Sequence, residues 1–211
     1  MKELNNNLPK WLEWGQKLQS LAHSGLHYSD NPFEIERYKQ IMEIAAEMVA
    51  AESGLHKKTV YELFLNEAGH STPKVDVRGV VFKEGKILLV KEKIDGKWTV
   101  PGGWADIGLT PSENAEREVF EESGYQVKAK KVLAVYDRNK QGHTPYIFHL
   151  YKIFFLCEIV GGNPKTSIET DDVGFFSLDN LPELNLGRVT RKQIERFYEH
   201  YKNPDLPTDF D

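Results

Sequence analysis

The sequence predicts an α/β fold in which helices cover a mixed β-sheet, preceded by a small helical domain. Up to about His70 the apolar residues recur with helical spacing, whereas from Val75 onward they form the short aliphatic and β-branched runs typical of strands. Two further helical segments interrupt those runs, a mixture typical of a layered α/β domain. We expect a helical extension over residues 1–70, a larger domain over 71–203 and a loosely held tail over 204–211.

The composition is that of an ordinary soluble protein, with 40% hydrophobic and 28% charged residues among 211. A formal net charge of −5 argues against a general electrostatic hold on nucleic acid or anionic lipid. The single cysteine, Cys157, excludes disulfide scaffolds and zinc fingers. No apolar run has the length of a transmembrane helix, and the N-terminus lacks the apolar stretch of a signal peptide. We therefore expect a cytoplasmic protein without a membrane partner.

The extension carries three predicted helices. The first has its apolar residues within 12–22. The second has a clear start, because Asn31 can cap it, Pro32 suits the first helical position and Glu34 follows the cap by three residues. The third covers residues 56–68 and ends at a glycine. Three such helices make a thin core, so we expect their apolar stripes to be buried by dimerisation.

The larger domain begins with a predicted hairpin. Strands over Val75–Phe82 and Lys86–Lys91 are joined by Lys83-Glu84-Gly85, which places a glycine at the turn. Further strands are predicted over residues 98–100, 127–136, 146–159 and 175–177, and helices over 111–123 and 189–201.

The helix predicted over 111–123 has clear ends. Thr110 and Glu113 have the spacing of a capping box, Pro111 suits the first turn, and Gly124 suits a left-handed C-terminal cap. These local signals set which residues share a face of the helix.

Three carboxylates lie on nearly one face of that helix, because Glu118, Glu121 and Glu122 are spaced i, i+3 and i+4. Like charges so placed repel, and Arg117 can brace some of them but cannot neutralise all. The remaining negative charge suits a hard divalent cation with oxygen ligands, such as Mg²⁺ or Mn²⁺.

Two glycines precede the helix. Gly102 and Gly103 allow the backbone to approach a metal ion or a phosphate without an intervening side chain. A run of acidic residues is usually a solvated helix face, and the glutamates alone would fit that interpretation about equally well. The positions of Arg117 and Gly124 beside the glutamates favour a metal-dependent phosphate site.

These residues carry a family resemblance. Gly103, followed by Arg117-Glu118-Val119-Phe120-Glu121-Glu122-Ser123-Gly124-Tyr125, resembles the Nudix box, G-x5-E-x7-R-E-U-x-E-E-x-G-U, in which U is a bulky apolar residue. One position departs from it, since Leu109 stands where the family usually has its first glutamate. That glutamate often buttresses the loop and the arginine, and we expect Glu113 to take over the contact with Arg117.

The resemblance extends over residues 75–201. It implies an α/β/α sandwich and the hydrolysis of nucleoside diphosphates linked to another moiety, with Mg²⁺ or Mn²⁺. It also implies that Arg117 orients the carboxylates and that a carboxylate on a later loop acts as the base, for which Glu169 is the first candidate and Asp171 or Asp172 the next. The implied metal ligands are Glu118, Glu121 and Glu122, with a backbone carbonyl from Gly102 or Gly103; Glu121 and Glu122 are also expected in catalysis.

The N-terminal stretch over residues 11–41 is similar to the helical extension of a bacterial Nudix subgroup labelled ADP-ribose or CDP-choline pyrophosphatase. Choline is a quaternary ammonium, which aromatic faces hold. Trp104, beside the two glycines, is the first candidate for that contact, with Tyr28, Trp98, Trp11 and Trp14 as further candidates. Arg78 is a further expected substrate contact. Tryptophans at helical spacing, such as Trp11 and Trp14, are more often packing residues.

Three functions stay open. The favoured function is hydrolysis of a nucleoside diphosphate linked to another moiety, with CDP-choline or ADP-ribose as the expected substrate. An enzyme that processes RNA ends or phosphodiesters would use the same metal chemistry, although the acidic composition counts mildly against it. A non-catalytic nucleotide sensor would have no need for three glutamates together with Arg117. Turnover that depends on a metal ion separates the sensor from the two enzymes.

Overall fold

The α/β fold with a helical N-terminal region is confirmed by the computed structural model, which describes residues 9–66 and 69–211. The described chain divides into two compact units. One, the helical unit, contains the N-terminal helices and residues 145–149; the other, the α/β unit, contains residues 74–144 and 150–211. Within the described ranges, no helix combines the length and the apolar character needed to cross a membrane.

The helical unit consists of α1 (Lys10–Tyr28), α2 (Pro32–Ser53) and α3 (Lys57–Leu65). The predicted cap of α2 forms, because the Asn31 side chain accepts a hydrogen bond from the Phe33 N–H at 2.9 Å. Glu34 does not complete a capping box; its carboxylate accepts a hydrogen bond from the Ser29 hydroxyl at 2.6 Å instead. The buried apolar residues of this unit are Leu12, Ala22, Met42, Ala45, Ala46, Val49, Val60 and Phe64.

The predicted third helix is longer than α3. Its first predicted residue, His56, is at the N-cap position and makes no side-chain capping hydrogen bond. The helix ends at Leu65, where the Asn66 N–H donates to the Glu62 carbonyl at 3.1 Å. Residues 67 and 68, in the predicted last turn, lie outside the described residues.

The α/β unit contains eight strands and two α-helices in its described residues. In chain order they are β1 (Lys74–Lys83), β2 (Lys86–Glu92), β3 (Trp98–Thr99), β4 (Gly102–Trp104), α4 (Pro111–Ser123), β5 (Tyr125–Asp137), β6 (Leu150–Gly162), β7 (Thr170–Phe176), α5 (Arg191–Lys202) and β8 (Asp209–Phe210). Strand order is β3-β2-β1-β6-β5-β8, with β4 paired to β1 and β7 to β2. The sheet is mixed, because β1 runs parallel to β6 and antiparallel to β2 and β4.

Helices α4 and α5 cover different sides of β1. Val77 and Val81 pack with Ala115 and Val119 of α4, whereas Val80 belongs to the cluster formed with α5. Alternate residues of a strand point to opposite faces, so β1 is buried on both sides. The predicted turn into β2 is confirmed as a hairpin whose Glu84 and Gly85 both have positive φ, at 50° and 71°.

Several strand limits differ from the prediction. The strand predicted over 146–159 begins at Leu150, because the Tyr146 and Ile147 carbonyls accept hydrogen bonds from the Gln16 side chain, each at 3.2 Å. The strand predicted over 175–177 is β7, which begins earlier, at Thr170. The short strands β4 and β8 have no predicted counterpart.

The expectation of a loosely held tail is wrong. Strand β8 pairs with β5, and its Asp209 accepts hydrogen bonds from the Arg196 guanidinium at 2.5 and 2.7 Å and from the Tyr136 hydroxyl at 3.1 Å. Lys131 also donates to the Pro204 carbonyl at 2.8 Å. These contacts join residues far apart in sequence, which a composition rich in proline and aspartate does not reveal.

Candidate active site

Helix α4 has the predicted limits and both predicted caps. The Thr110 hydroxyl accepts from the Glu113 N–H at 3.3 Å, the Thr110 N–H donates to the Glu113 carboxylate at 2.8 Å, and Gly124 has φ of 77°. With both ends set by local chemistry, the helix presents Glu118 and Glu122 one turn apart.

Strand β4 brings backbone against these two carboxylates. The Gly102 N–H donates to Glu122 Oε2 at 3.0 Å. Gly102 has φ of 142°, and a Cβ at this position would lie 2.2 Å from the Val77 carbonyl oxygen. A Cβ at Gly103 would lie 3.1 Å from Glu118 Oε2. Glycine is therefore required at the first position and allows close approach at the second.

Burial raises the pKa of both carboxylates. Glu122 is 4% exposed, and burial raises the pKa of its carboxyl to about 8. The Arg78 charge and the hydrogen bond from Gly102 oppose this rise in pKa, and the Glu118 charge adds to it. Burial also raises the pKa of Glu118, against the lowering effect of Arg117. The positive charge around Glu122 therefore does not outweigh the effect of burial on its pKa.

Glu121 is placed differently from its two neighbours. Its side chain is 57% exposed and its Oε1 lies 3.7 Å from Arg117 Nε. In the parts of the chain that the structure describes, no three acidic, histidine or cysteine side chains already converge as metal ligands. The oxygen donors available here are the buried carboxylate of Glu122, the partly buried carboxylate of Glu118 and the backbone carbonyls of Gly102 and Gly103. Such a set fits a hard divalent cation that keeps waters or takes phosphate oxygens in its remaining positions.

Arg117 is braced by a residue that the sequence did not indicate. Its Nη2 lies 2.7 Å from Asp106 Oδ2 and 3.2 Å from Glu118 Oε1. The expected contact with Glu113 is wrong, because that carboxylate is used in the capping box with Thr110. Asp106, three residues before Leu109, occupies the role expected of Glu113.

The loop that carries Asp106 is held by a buried asparagine. Asn114, which is 1% exposed, accepts from the Asp106 N–H at 2.9 Å and donates to the Asp106 carbonyl at 3.2 Å. The amide also reaches the Leu109 and Thr110 carbonyls. Because this one side chain bonds several loop carbonyls, Asp106 is held where Arg117 can reach it.

Arg78 lies behind β4 in a buried charge cluster. It is 2% exposed; its guanidinium donates to both Asp76 carboxylate oxygens at 2.9 and 2.8 Å and to the Val100 carbonyl at 3.0 Å. Lys152, 1% exposed, donates to Asp76 Oδ1 at 2.7 Å. Opposite charges around Asp76 hold its pKa well below the usual range. A direct substrate contact by Arg78 stays a prediction, and this arrangement does not favour it.

The candidate bases lie at the start of β7. Glu169, Asp171 and Asp172 are exposed. Thr170 between them is buried, and its hydroxyl donates to the Glu122 carbonyl at 2.9 Å. This hydrogen bond joins the start of β7 to the C-terminal turn of α4. The structure therefore places Glu169 on a segment bonded to the carboxylate helix, and its role as a base stays a prediction.

The aromatic candidates lie in different units. Trp104 ends β4 opposite Asp76 and is 45% exposed, and Tyr28 ends α1 in the helical unit and is 72% exposed. Their substrate contacts stay predictions. Sequence reasoning missed Asp106, Glu92 and Arg188, whose importance comes from contacts across the fold; an isolated acidic residue at a strand end, such as Glu92, is a weak signal.

Comparison with known proteins finds matches to both parts of the chain. Residues 9–64 match a family model described as a UDP-X-like N-terminal oligomerisation domain, and residues 72–197 match the NUDIX domain model. A Bacillus subtilis (strain 168) protein with the provisional name ADP-ribose pyrophosphatase is 43% identical over 202 residues, covering 96% of this chain and 97% of that protein. An ADP-ribose pyrophosphatase of Methanocaldococcus jannaschii is 34% identical over 149 residues, covering 68% of this chain and 79% of that protein.

Two solved structures are also similar to this chain. An ADP-ribose pyrophosphatase from Streptococcus suis 89-1591 is 41% identical with a TM-score of 0.62, covering 66% of this chain and 100% of that one. A UDP-X diphosphatase is 30% identical with a TM-score of 0.63, covering 96% of this chain and 98% of that one. Nudix hydrolases generally use divalent metal ions, in keeping with the oxygen donors on α4 and β4. The chain thus belongs to the Nudix family, as a pyrophosphohydrolase with an N-terminal extension of the UDP-X-like oligomerisation type.

Proposed function

We propose that this protein hydrolyses the pyrophosphate bond of a nucleoside diphosphate linked to another moiety, with ADP-ribose as the first candidate substrate. The products would be a nucleoside monophosphate and a phosphorylated second product. The observation that carries the proposal is the pair of carboxylates, the buried Glu122 and the partly buried Glu118, held against the Gly102–Gly103 backbone. The names of the two relatives support ADP-ribose over other nucleotides.

The residues proposed to hold Mg²⁺ or Mn²⁺ are Glu118 and Glu122, with Glu121 as an outer contributor and a backbone carbonyl of Gly102 or Gly103. The chemistry supplied by such an ion is neutralisation of the pyrophosphate oxygens and a more acidic water. The Gly102 N–H orients the Glu122 carboxylate, and Arg117 restrains Glu118 and Glu121.

A carboxylate completes the reaction by taking the proton of the attacking water. We propose Glu169 for this role, with Asp171 or Asp172 as the alternatives. The water oxygen forms the new bond to phosphorus, the bridging P–O bond breaks, and the proton goes to the carboxylate. Glu169 suits this role because it is exposed and precedes Thr170, which is bonded to the end of α4.

CDP-choline is the second candidate substrate. Trp104 follows Gly103 directly and leaves nearly half of its surface exposed. An indole face in this place can hold a quaternary ammonium group by cation–π attraction, worth about 0.5–2 kcal/mol. Replacing Trp104 by leucine should then weaken hydrolysis of CDP-choline more than that of ADP-ribose.

We also propose that the helical unit forms a homodimer. Trp14, Leu21 and Tyr28 recur every seven residues along α1 and are 53%, 66% and 72% exposed. Residues at this spacing lie along one side of a helix, so they form an exposed apolar stripe. The oligomerisation description of the matched family model supports a second copy of the chain as the partner. In a dimer, Tyr28 could contribute to the substrate wall.

The test of the proposed function is a substrate panel with Mg²⁺ and with Mn²⁺. It contains ADP-ribose, CDP-choline, a UDP-sugar, NADH and a short RNA with a 5′-triphosphate. We expect metal-dependent cleavage of ADP-ribose or CDP-choline, and ¹⁸O water locates the phosphorus attacked. Cleavage of the RNA alone would point to an RNA-processing enzyme, and no cleavage of any compound would point to a nucleotide sensor.

A further inference from the structure

A buried carboxylate outside the family motif is left without a role by the proposed mechanism. Glu92 ends β2 and is 5% exposed. Its Oε1 lies 2.5 Å from Arg188 Nη1. This ion pair joins a buried carboxylate to a guanidinium whose side chain is 34% exposed.

The loop before α5 fixes the position of Arg188. The Asn185 N–H donates to the Trp98 carbonyl at 2.8 Å, and the Asn185 carbonyl accepts from the Arg188 N–H at 2.9 Å. The Asn185 amide donates to Asp95 at 2.7 Å, and the Arg138 guanidinium donates to the Gly187 carbonyl. A loop bonded from two sides holds the Arg188 backbone while its long side chain can exchange partners.

Glu92 lies beside the candidate active site. It stands opposite Thr170 in the pairing of β2 with β7, and the Thr170 hydroxyl donates to the Glu122 carbonyl at 2.9 Å. The Glu92 charge also adds to the raised pKa of Glu122, and the charge of Arg78 acts on both carboxylates. The Glu92–Arg188 ion pair thus borders the carboxylates proposed to bind metal.

Three other cations near this site are already paired with carboxylates. Arg78 and Lys152 are buried and both bind Asp76, and Arg117 contacts Asp106, Glu118 and Glu121. A diphosphate brings negative charge into a cleft lined with carboxylates, so it needs a positive partner from the protein as well as from a metal ion. A planar guanidinium suits phosphate oxygens, and that of Arg188 is partly exposed and has one ion-pair partner in the described chain.

We propose that Arg188 binds an oxygen of the substrate's diphosphate group and that Glu92 holds the guanidinium in place when the diphosphate is absent. Arg188 is thereby assigned as a substrate-binding residue, a role that the sequence analysis had expected of Arg78. This inference rests on the proposed function, because it takes the diphosphate as the shared feature of the candidate substrates.

The test compares Arg188→Met, Arg188→Lys and Glu92→Gln with the wild type. The matched control is Arg191→Met, three residues further on, whose guanidinium pairs with Glu195 on the exposed side of α5. With ADP-ribose as substrate we expect Arg188→Met to raise KM about tenfold or more, with kcat changed by less than about threefold. Arg188→Lys should recover part of the loss, and Arg191→Met should leave both constants unchanged.

Calorimetric binding of inorganic pyrophosphate in the presence of Mg²⁺ provides a readout that does not need turnover. Weaker binding by Arg188→Met and tighter binding by Glu92→Gln would support the proposal, since the second variant frees Arg188 from its resting partner. Equal binding by the wild type and Arg188→Met, or no binding by the wild type, would overturn it. A wild type that binds pyrophosphate through Arg188 but cleaves none of the panel would refute the proposed function alone.

Discussion

The helical unit exposes an apolar stripe along one helix, whereas the α/β unit buries carboxylates. In the helical unit, Trp14, Leu21 and Tyr28 expose more than half of their surface. In the α/β unit, the carboxylates of Glu92 and Glu122 are almost fully buried. Exposed apolar surface stays in contact with water, and a buried carboxylate loses its hydration, so each arrangement costs free energy in an isolated chain.

We relate this difference to the binding partner proposed for each unit. A second apolar surface would remove the cost in the helical unit, and positive charge would remove it in the α/β unit. We relate the exposed apolar surface to self-association and the buried carboxylates to metal-dependent phosphate chemistry. Changes that remove one of these two energetic costs should leave the other intact, and the predictions below test that separation.

The largest expected effect is the loss of activity in Glu122→Gln. The amide keeps the size of the side chain and can still accept from the Gly102 N–H, but it removes the charge proposed to bind metal. We expect kcat for the cleaved nucleotide to fall about 100-fold or more, since even indirect supports of a metal site cost about 10–100-fold when lost. Circular dichroism and the oligomeric state should be unchanged. A variant with wild-type turnover in Mg²⁺ would remove Glu122 from the site.

The second effect is a pH dependence of stability in the metal-free protein. The Glu122 pKa is about 8 in the folded chain against an ordinary value near 4.5, so between these pH values the folded state holds a proton that the unfolded state has released. This ionisation should therefore lower the free energy of unfolding as pH rises through the window, by on the order of 5 kcal/mol. Urea unfolding in EDTA measures it.

Glu122→Gln is the control for that slope, because an amide does not titrate. The free energy of unfolding of the wild type should fall relative to that of the variant as pH rises from 5 to 8, which are about the limits of the titration window. Equal slopes for the two proteins would show that the burial of Glu122 does not perturb its ionisation.

The third effect concerns the apolar stripe of α1. Leu21→Glu places a charge on each copy of the proposed interface, and we expect the dissociation constant of the dimer to rise at least about tenfold. Sedimentation velocity over a range of protein concentrations measures it. Ile94→Glu, at an exposed apolar residue of the α/β unit, is the matched control and should not change the mass. A dimer that Leu21→Glu leaves intact would place the interface elsewhere.

The smallest effect tests the brace of Arg117. Asp106→Asn removes the charge 2.7 Å from the guanidinium, and we expect kcat to fall about threefold to tenfold, because a partly exposed ion pair is worth about 1 kcal/mol. Leu109→Glu, which restores the usual glutamate of the motif, should recover activity when combined with Asp106→Asn. Failure of the double variant to recover would show that Asp106 does more than restrain Arg117.

The predictable part of the fold was that set by neighbours in sequence. Thr110, Glu113 and Gly124 determine both ends of α4 through local hydrogen bonds and backbone conformation, and the same spacing placed Glu118 and Glu122 on one helix face. Local patterns also predicted most strands of the sheet, although not β4, which begins with two glycines, or β8, which follows Pro204 and Pro207.

The remainder depends on contacts between distant residues. Glu92 and Arg188 meet because β2 ends beside the loop before α5, and Asp209 secures the C-terminal segment by binding Arg196 and Tyr136. No local signal marks such pairs. Asp106 escaped notice for a related reason, since only the geometry of its loop shows that Arg117 is within reach.

The measurement that tests the account most directly is calorimetric titration of the metal-free protein with Mn²⁺. The wild type should bind Mn²⁺, Glu118→Gln and Glu122→Gln should bind it at least about tenfold more weakly, and Glu116→Gln should match the wild type. Glu116 is a fair control because it lies on the same helix but accepts from the Ala129 N–H at 2.9 Å. Equal Mn²⁺ binding by all four proteins would contradict the assignment of α4 and β4 as the metal site.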